Sequence, residues 1–146
     1  MRFLTLIFSA FLFIACQNKE KTKGQEADKK EILTVLNTQS KAWSNGDLEG
    51  FMQGYWKSDS LKFYGSNGLT KGWQNTLNNY KKSYPTTNET GQLKFVINDI
   101  SKIENDAYWV MGEYHLTRNV GDANDVFIVI FKKINGEWKI VADMSC

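Results

Sequence analysis

Few side chains in this sequence could carry chemistry, and their types exclude several reactions at once. One histidine, His115, stands among 146 residues, so a multi-histidine zinc site is ruled out. The sequence holds no Gly-rich phosphate loop, no Gly-x-Ser-x-Gly elbow and no His-Glu-x-x-His motif. Neither a metal nor a cofactor is therefore expected. What remains in the second half is two carboxyls, a phenol and an imidazole: Asp99, Asp143, Tyr114 and His115. A carboxyl buried in an apolar wall has its pKa raised and can act as a general acid or base. His115 and Asp143 would form a proton-transfer pair only if the fold made them neighbours.

The elements that must position these groups are legible from hydrophobic period. Ile32, Val35, Leu36, Gln39 and Trp43 recur at helical spacing, and Asn45-Gly46 supplies a left-handed stop. Asp47 caps a short second helix with Leu48, Phe51, Met52 and Tyr55 on one face. Leu61 to Tyr64 and Leu69-Thr70 flank Gly65-Ser66-Asn67-Gly68 as a small hairpin. Gly72 to Tyr84 reads as a third helix through Trp73, Leu77, Tyr80 and Tyr84, ended by Pro85. The period then becomes alternating, with strands over Leu93 to Glu104, Ala107 to Arg118, Asp125 to Ile134 and Glu137 to Ser145.

Two-residue turns at Asn105-Asp106 and Asn135-Gly136 fix the expected registers. In the last hairpin Phe131 opposes Ile140, Val129 opposes Ala142 and Ile128 opposes Asp143. One face then carries Phe127, Val129, Phe131, Ile140, Ala142 and Met144. In the first hairpin Asp99 opposes Gly112, Ile97 opposes Tyr114 and Phe95 opposes Leu116. Matching apolar faces places Val110, Gly112, Tyr114 and Leu116 on the concave side toward the helices. Trp109, Met111, Glu113, His115, Ile128, Ile130 and Asp143 fall on the opposite side. His115 and Asp143 are then two strand spacings apart, roughly 10 Å, with Ile128 between them.

The N-terminus has a different character. Arg2 is followed by an uncharged apolar run to Ala15, too short for a permanent span and matching an export signal. Phe13-Ile14-Ala15-Cys16 resembles the lipobox of bacterial lipoproteins, which implies cleavage before Cys16 and lipidation there. Residues 1–15 are thus expected to be a signal peptide and residues 16–26 a flexible polar tether. Residues 27–146 form one domain, large enough to bury about two-thirds of its unfolded surface. With Cys16 lipidated, Cys146 has no intramolecular disulfide partner, and it reads as an incidental exposed thiol. The expected address is the cell envelope, lipid-anchored to a bacterial membrane and facing away from the cytoplasm. Basic and acidic residues nearly balance at 18 to 16, and Lys81-Lys82 and Lys132-Lys133 read as solvated faces, so no nucleic-acid partner is expected.

Three helices followed by a curved antiparallel sheet, with the stretches Ala42-Trp43-Ser44-Asn45-Gly46-Asp47, Gly65 to Trp73, Gly112 to Arg118 and Asn135 to Ser145, resemble the nuclear-transport-factor-2-like superfamily. The likeness runs closest to its SnoaL-like and DUF4440-like branches. It implies an α+β cone-shaped barrel: three N-terminal helices packed on a curved, mainly antiparallel sheet. The superfamily includes isomerases, dehydratases, cyclases, ligand-binding proteins and association domains, so the resemblance licenses fold before function. Relatives often carry histidine in the closing strand where this chain has Ala142 or Met144.

In such a cone the cavity wall would be Trp56, Phe63, Trp73, Tyr80, Tyr84, Tyr114, Phe127, Val129 and Met144. That wall suits a small apolar or aromatic molecule, and equally well a filled core. Asp99, helped by Tyr114, is the candidate acid or base of a cyclase, isomerase or dehydratase, with an outward-facing surface acid as the alternative. Glu113, His115, Ile128, Ile130 and Asp143 are the candidates for a homodimer face.

Overall fold

The computed structural model describes residues 7–145, with side chains from residue 23 onward. Residues 1–6 and Cys146 lie outside it, as do the side chains of residues 7–22, so Arg2 and the Cys16 thiol are not described. Contacts divide the chain into two units, Met1–Glu31 and Ile32–Cys146.

Helix α1 (Ile7–Ser44) begins in the first unit and ends in the second. The stretch expected to be a flexible polar tether, residues 16–26, lies within this helix. Gln17 to Lys30 cannot bury an apolar face, yet Glu, Lys, Gln and Ala are strong helix formers and no proline interrupts them. Low apolar content argued against packing, and packing is not required for a helix continued from its neighbour. Among the described residues, no helix is long and apolar enough to cross a membrane.

In the second unit α1 buries Ile32, Leu36, Gln39 and Trp43 and stops at Gly46, whose φ is +74°. Asp47 then caps α2 (Leu48–Met52) by accepting from the Gly50 N–H at 2.8 Å. Strands β1 (Lys62–Gly65) and β2 (Gly68–Lys71) make the small hairpin, and α3 (Trp73–Ser83) follows. A further short helix, α4 (Thr87–Thr90), was not anticipated, although Thr86 and Glu89 spell its reciprocal capping box.

Strands β3 (Gln92–Glu104), β4 (Ala107–Thr117), β5 (Ala123–Ile134) and β6 (Glu137–Ser145) complete a six-stranded sheet in the order β2-β1-β6-β5-β4-β3. Only β1 and β6 run parallel; the other neighbours are antiparallel. Tyr108, Val110, Phe131, Trp138 and Ile140 are sealed at the core. The expected α+β architecture is the observed one.

Both expected turns form, but neither long register survives to the end of its hairpin. From Ile134↔Glu137 to Phe131↔Ile140 the last hairpin runs as expected. Ile130 then pairs with Ala142 and Val129 with Asp143, leaving Val141 as an extra residue. A bulge of this kind reverses which face each later side chain occupies. Asp143 is therefore buried on the concave side, and Met144 points outward at 49% exposure. The first hairpin slips twice, at Ile103 and at Asn98, so Ile97 faces Gly112 and Phe95 faces Tyr114. Asp99 pairs with Met111 on the outer face and is exposed.

Candidate functional site

The concave face of the sheet and the inner faces of α1, α2 and α3 enclose a cavity of about 220 Å³. Phe63, Tyr80, Tyr84, Tyr114, Phe127 and Val129 line it where the sequence put them. Three expected wall residues are elsewhere. Trp73 is buried among α2 and α3, donating its indole N–H to the Met52 carbonyl at 2.8 Å. Trp56 is half-buried outside the cavity and is held through its backbone N–H on the Ile140 carbonyl at 2.9 Å. Met144 is turned outward by the Val141 bulge.

Residues read only as helix core take their places. Trp43, Phe51 and Tyr55 reach the cavity, and their rings pack edge-on or tilted against Tyr80, Tyr84 and one another at 4.7–5.7 Å between centroids. Their period on one helix face was visible; that the same face also borders empty space was not. On the sheet side Phe95 stacks edge-on to Phe127 at 5.4 Å. Such edge-to-face ring pairs are each worth about 0.5–1.5 kcal/mol beyond the area they bury.

Asp143 is the carboxylate within this aromatic enclosure, and local geometry explains its placement. The chain leaving α2 lies alongside β6, where Ile140 N–H donates to the Gly54 carbonyl and Trp56 N–H donates to the Ile140 carbonyl, each at 2.9 Å. That pairing brings Tyr55 next to the bulge. Its hydroxyl donates to Asp143 Oδ2 at 2.6 Å, and Ser145 Oγ donates to Oδ1 at 2.6 Å. Burial pushes the Asp143 carboxyl up to about 6, and the hydrogen bonds from Ser145 and Tyr55 pull against that rise. Burial, reinforced by the Asp143 charge, holds the Tyr55 and Tyr80 phenols well above their usual range.

Asp99, the expected acid, accepts from Ser101 Oγ at 3.0 Å on the outer face and is removed from the site. Asp143, expected on the outer face as part of a dimer surface, is instead the cavity's acid. Glu113 and His115 do lie outward, 3.2 Å apart, with Glu113 also accepting from Asn98 Nδ2 at 3.3 Å. Ile128 and Ile130 share that outer face with Met111, Trp109 and Met144. Among the described residues, no cluster of acids, cysteines or histidine could hold a metal ion.

Several solved structures share this fold of helices packed on a curved sheet. A nuclear-transport-factor-2-like protein of unknown function from Shewanella oneidensis is 36% identical, with 81% of this chain and 98% of that one covered at a TM-score of 0.78. This chain belongs to the nuclear-transport-factor-2-like family. A member of that superfamily from Salmonella enterica serovar Typhimurium shares 19% identity over 84% of this chain and 92% of its own, at a TM-score of 0.66. A ketosteroid isomerase-like protein from Erwinia carotovora shares the fold at 13% identity, covering 80% and 92% of the two chains with a TM-score of 0.64. No family model and no curated protein matches the sequence. Within the family fold, the cavity and its acid are the features of this chain that could do chemistry.

Proposed function

We propose that this nuclear-transport-factor-2-like protein is a membrane-tethered binding protein whose cone cavity takes a small apolar or aromatic molecule. The observation that carries the reading is the 220 Å³ cavity walled by aromatic rings packed edge to face. A cavity of this volume has room for a compact molecule. Tethering rests on the lipobox-like Phe13-Ile14-Ala15-Cys16 and places the domain at the cell envelope. Native mass spectrometry of the protein purified from its host tests both parts. A retained small molecule and an acyl mass lost in Cys16→Ser are the expected results, and bare protein with unmodified Cys16 would sink the proposal.

A second reading, proton-transfer catalysis, is favoured by the Asp143–Tyr55 pair inside the cavity. A carboxyl whose pKa is about 6, oriented by the Tyr55 hydroxyl, is suited to exchange a proton with a bound substrate. Turnover lost in Asp143→Asn with binding retained would select it over binding alone.

The outer sheet face supports a second copy of the chain as partner. Trp109, Met111, Ile130 and Met144 are 36–49% exposed there; Trp109 pairs with Ile130, and Met111 and Met144 flank Ile128 from either side. Sedimentation equilibrium showing monomer at high concentration would count against it.

A further inference from the structure

The chemistry of the cavity wall restricts its occupant further, on the reading that the cavity is a binding site. Among the described residues, Asp143 is the charged group on that wall, and no lysine, arginine or histidine lines it. A buried carboxylate with no cation opposite is costly, because two neutral hydrogen bonds do not replace the water it has lost. Gln39 adds an independent sign. It lines the cavity and is 2% exposed, its Nε2 donates to the Phe51 carbonyl at 3.0 Å, and its Oε1 has no hydrogen-bond partner. The cavity thus holds a carboxylate with no basic side chain opposite and an unpaired amide oxygen, among the neutral hydroxyls and amides of Thr76, Asn79 and the tyrosines and beside ring faces of the kind that attract cations.

We infer that the occupant is a compact molecule bearing a protonated amine, with its cationic head toward the Asp143 carboxylate and Gln39 Oε1 and its body against the rings. An anion would meet Asp143 with no basic group to receive it. A neutral molecule could use Gln39 but would leave the carboxylate uncompensated.

The ionisable groups facing Asp143 are phenols: Tyr55 beside β6 and Tyr80 on α3, with Tyr84 and Tyr114 beyond Tyr80. Its strand neighbours Phe63 on β1 and Val129 on β5 carry no charge. Protonation of Asp143 is therefore the event that should weaken amine binding as pH falls.

Calorimetric titration of the full chain with phenethylamine, phenethyl alcohol and phenylacetate, three probes sharing one body, decides the matter. At about pH 8 phenethylamine should bind at least about tenfold more tightly than the alcohol, and phenylacetate most weakly. Lowering the pH to about 5 should weaken the amine about tenfold and leave the alcohol unchanged. Asp143→Asn, checked for folding by circular dichroism, should erase the preference for the amine. An alcohol or carboxylate that binds as well as the amine overturns this inference and leaves the cavity reading standing. Binding of none of the three overturns both.

Discussion

Asp99 and Asp143 are the same residue type, each beside a one-residue bulge, and their fates are opposite. On edge strand β3 the extra Asn98 turns Asp99 out to solvent and a bond from Ser101. On β6, flanked by β5 and β1, the extra Val141 turns Asp143 inward beneath Tyr55. The bulge sets direction in both places; the surroundings set consequence. An edge strand that turns an acid outward costs nothing, whereas an interior strand that turns one inward must supply donors, and here Tyr55 and Ser145 are those donors.

The comparison can be broken hardest at Gly112, which the sequence places opposite Asp99. It faces Ile97 instead, and a side chain there would fall on the Val96 carbonyl oxygen and 2.9 Å from the Phe127 ring. Gly112→Val should cost about 3 kcal/mol or more in urea denaturation, because backbone cannot yield as a flexible side chain can. A tolerated valine would mean the register beside the Asn98 bulge is loose.

Next in size is the pH dependence that Asp143 imposes. Its folded pKa, about 6, lies above the unfolded value, so the folded state binds the proton more tightly. The stability this contributes is fully present below about pH 4 and is lost as pH rises through about 6, to a total of about 3 kcal/mol. Subtracting the stability curve of Asp143→Asn from that of the unsubstituted protein should reveal this fall. A flat difference curve would place Asp143 in a solvated setting, and one that rises with pH would place it in a cation-paired one. Tyr55→Phe comes third. Losing the 2.6 Å bond should cost about 1–2 kcal/mol and move the Asp143 titration, followed by carbon NMR, upward.

The fold was legible because its signals are periodic: Ile32, Leu36 and Trp43 on a helix, Asn135-Gly136 between strands, Pro85 after the third helix. Asn135 and Gly136 indeed adopt φ of 52° and 86°, as a tight hairpin turn demands. Most of the wall followed from the same periods. The acid did not, since a bulge leaves no fixed mark in composition and one residue reverses a face. Only the adjacent apolar pair Ile140-Val141 hinted that alternation fails there. Trp73 was misplaced for another reason. Helical period shows that a ring is buried, and only tertiary packing decides whether it meets a cavity or the Met52 carbonyl.

The smallest expected effect is the sharpest control. Asp99→Asn removes a charge from an exposed site where the carboxylate accepts from Ser101, a neighbour on the same strand. Such surface changes stay within about 0.5 kcal/mol. The variant should also keep the unsubstituted protein's fall in stability between about pH 4 and pH 6, because Asp143 is untouched. A flattened curve in Asp99→Asn would mean that the β3 bulge turns its acid inward for part of the time. The two carboxylates would then share the cavity, and the opposition between the hairpins would fail. A curve that overlays the original while Asp143→Asn flattens it assigns the whole effect to the residue that Val141 turns inside.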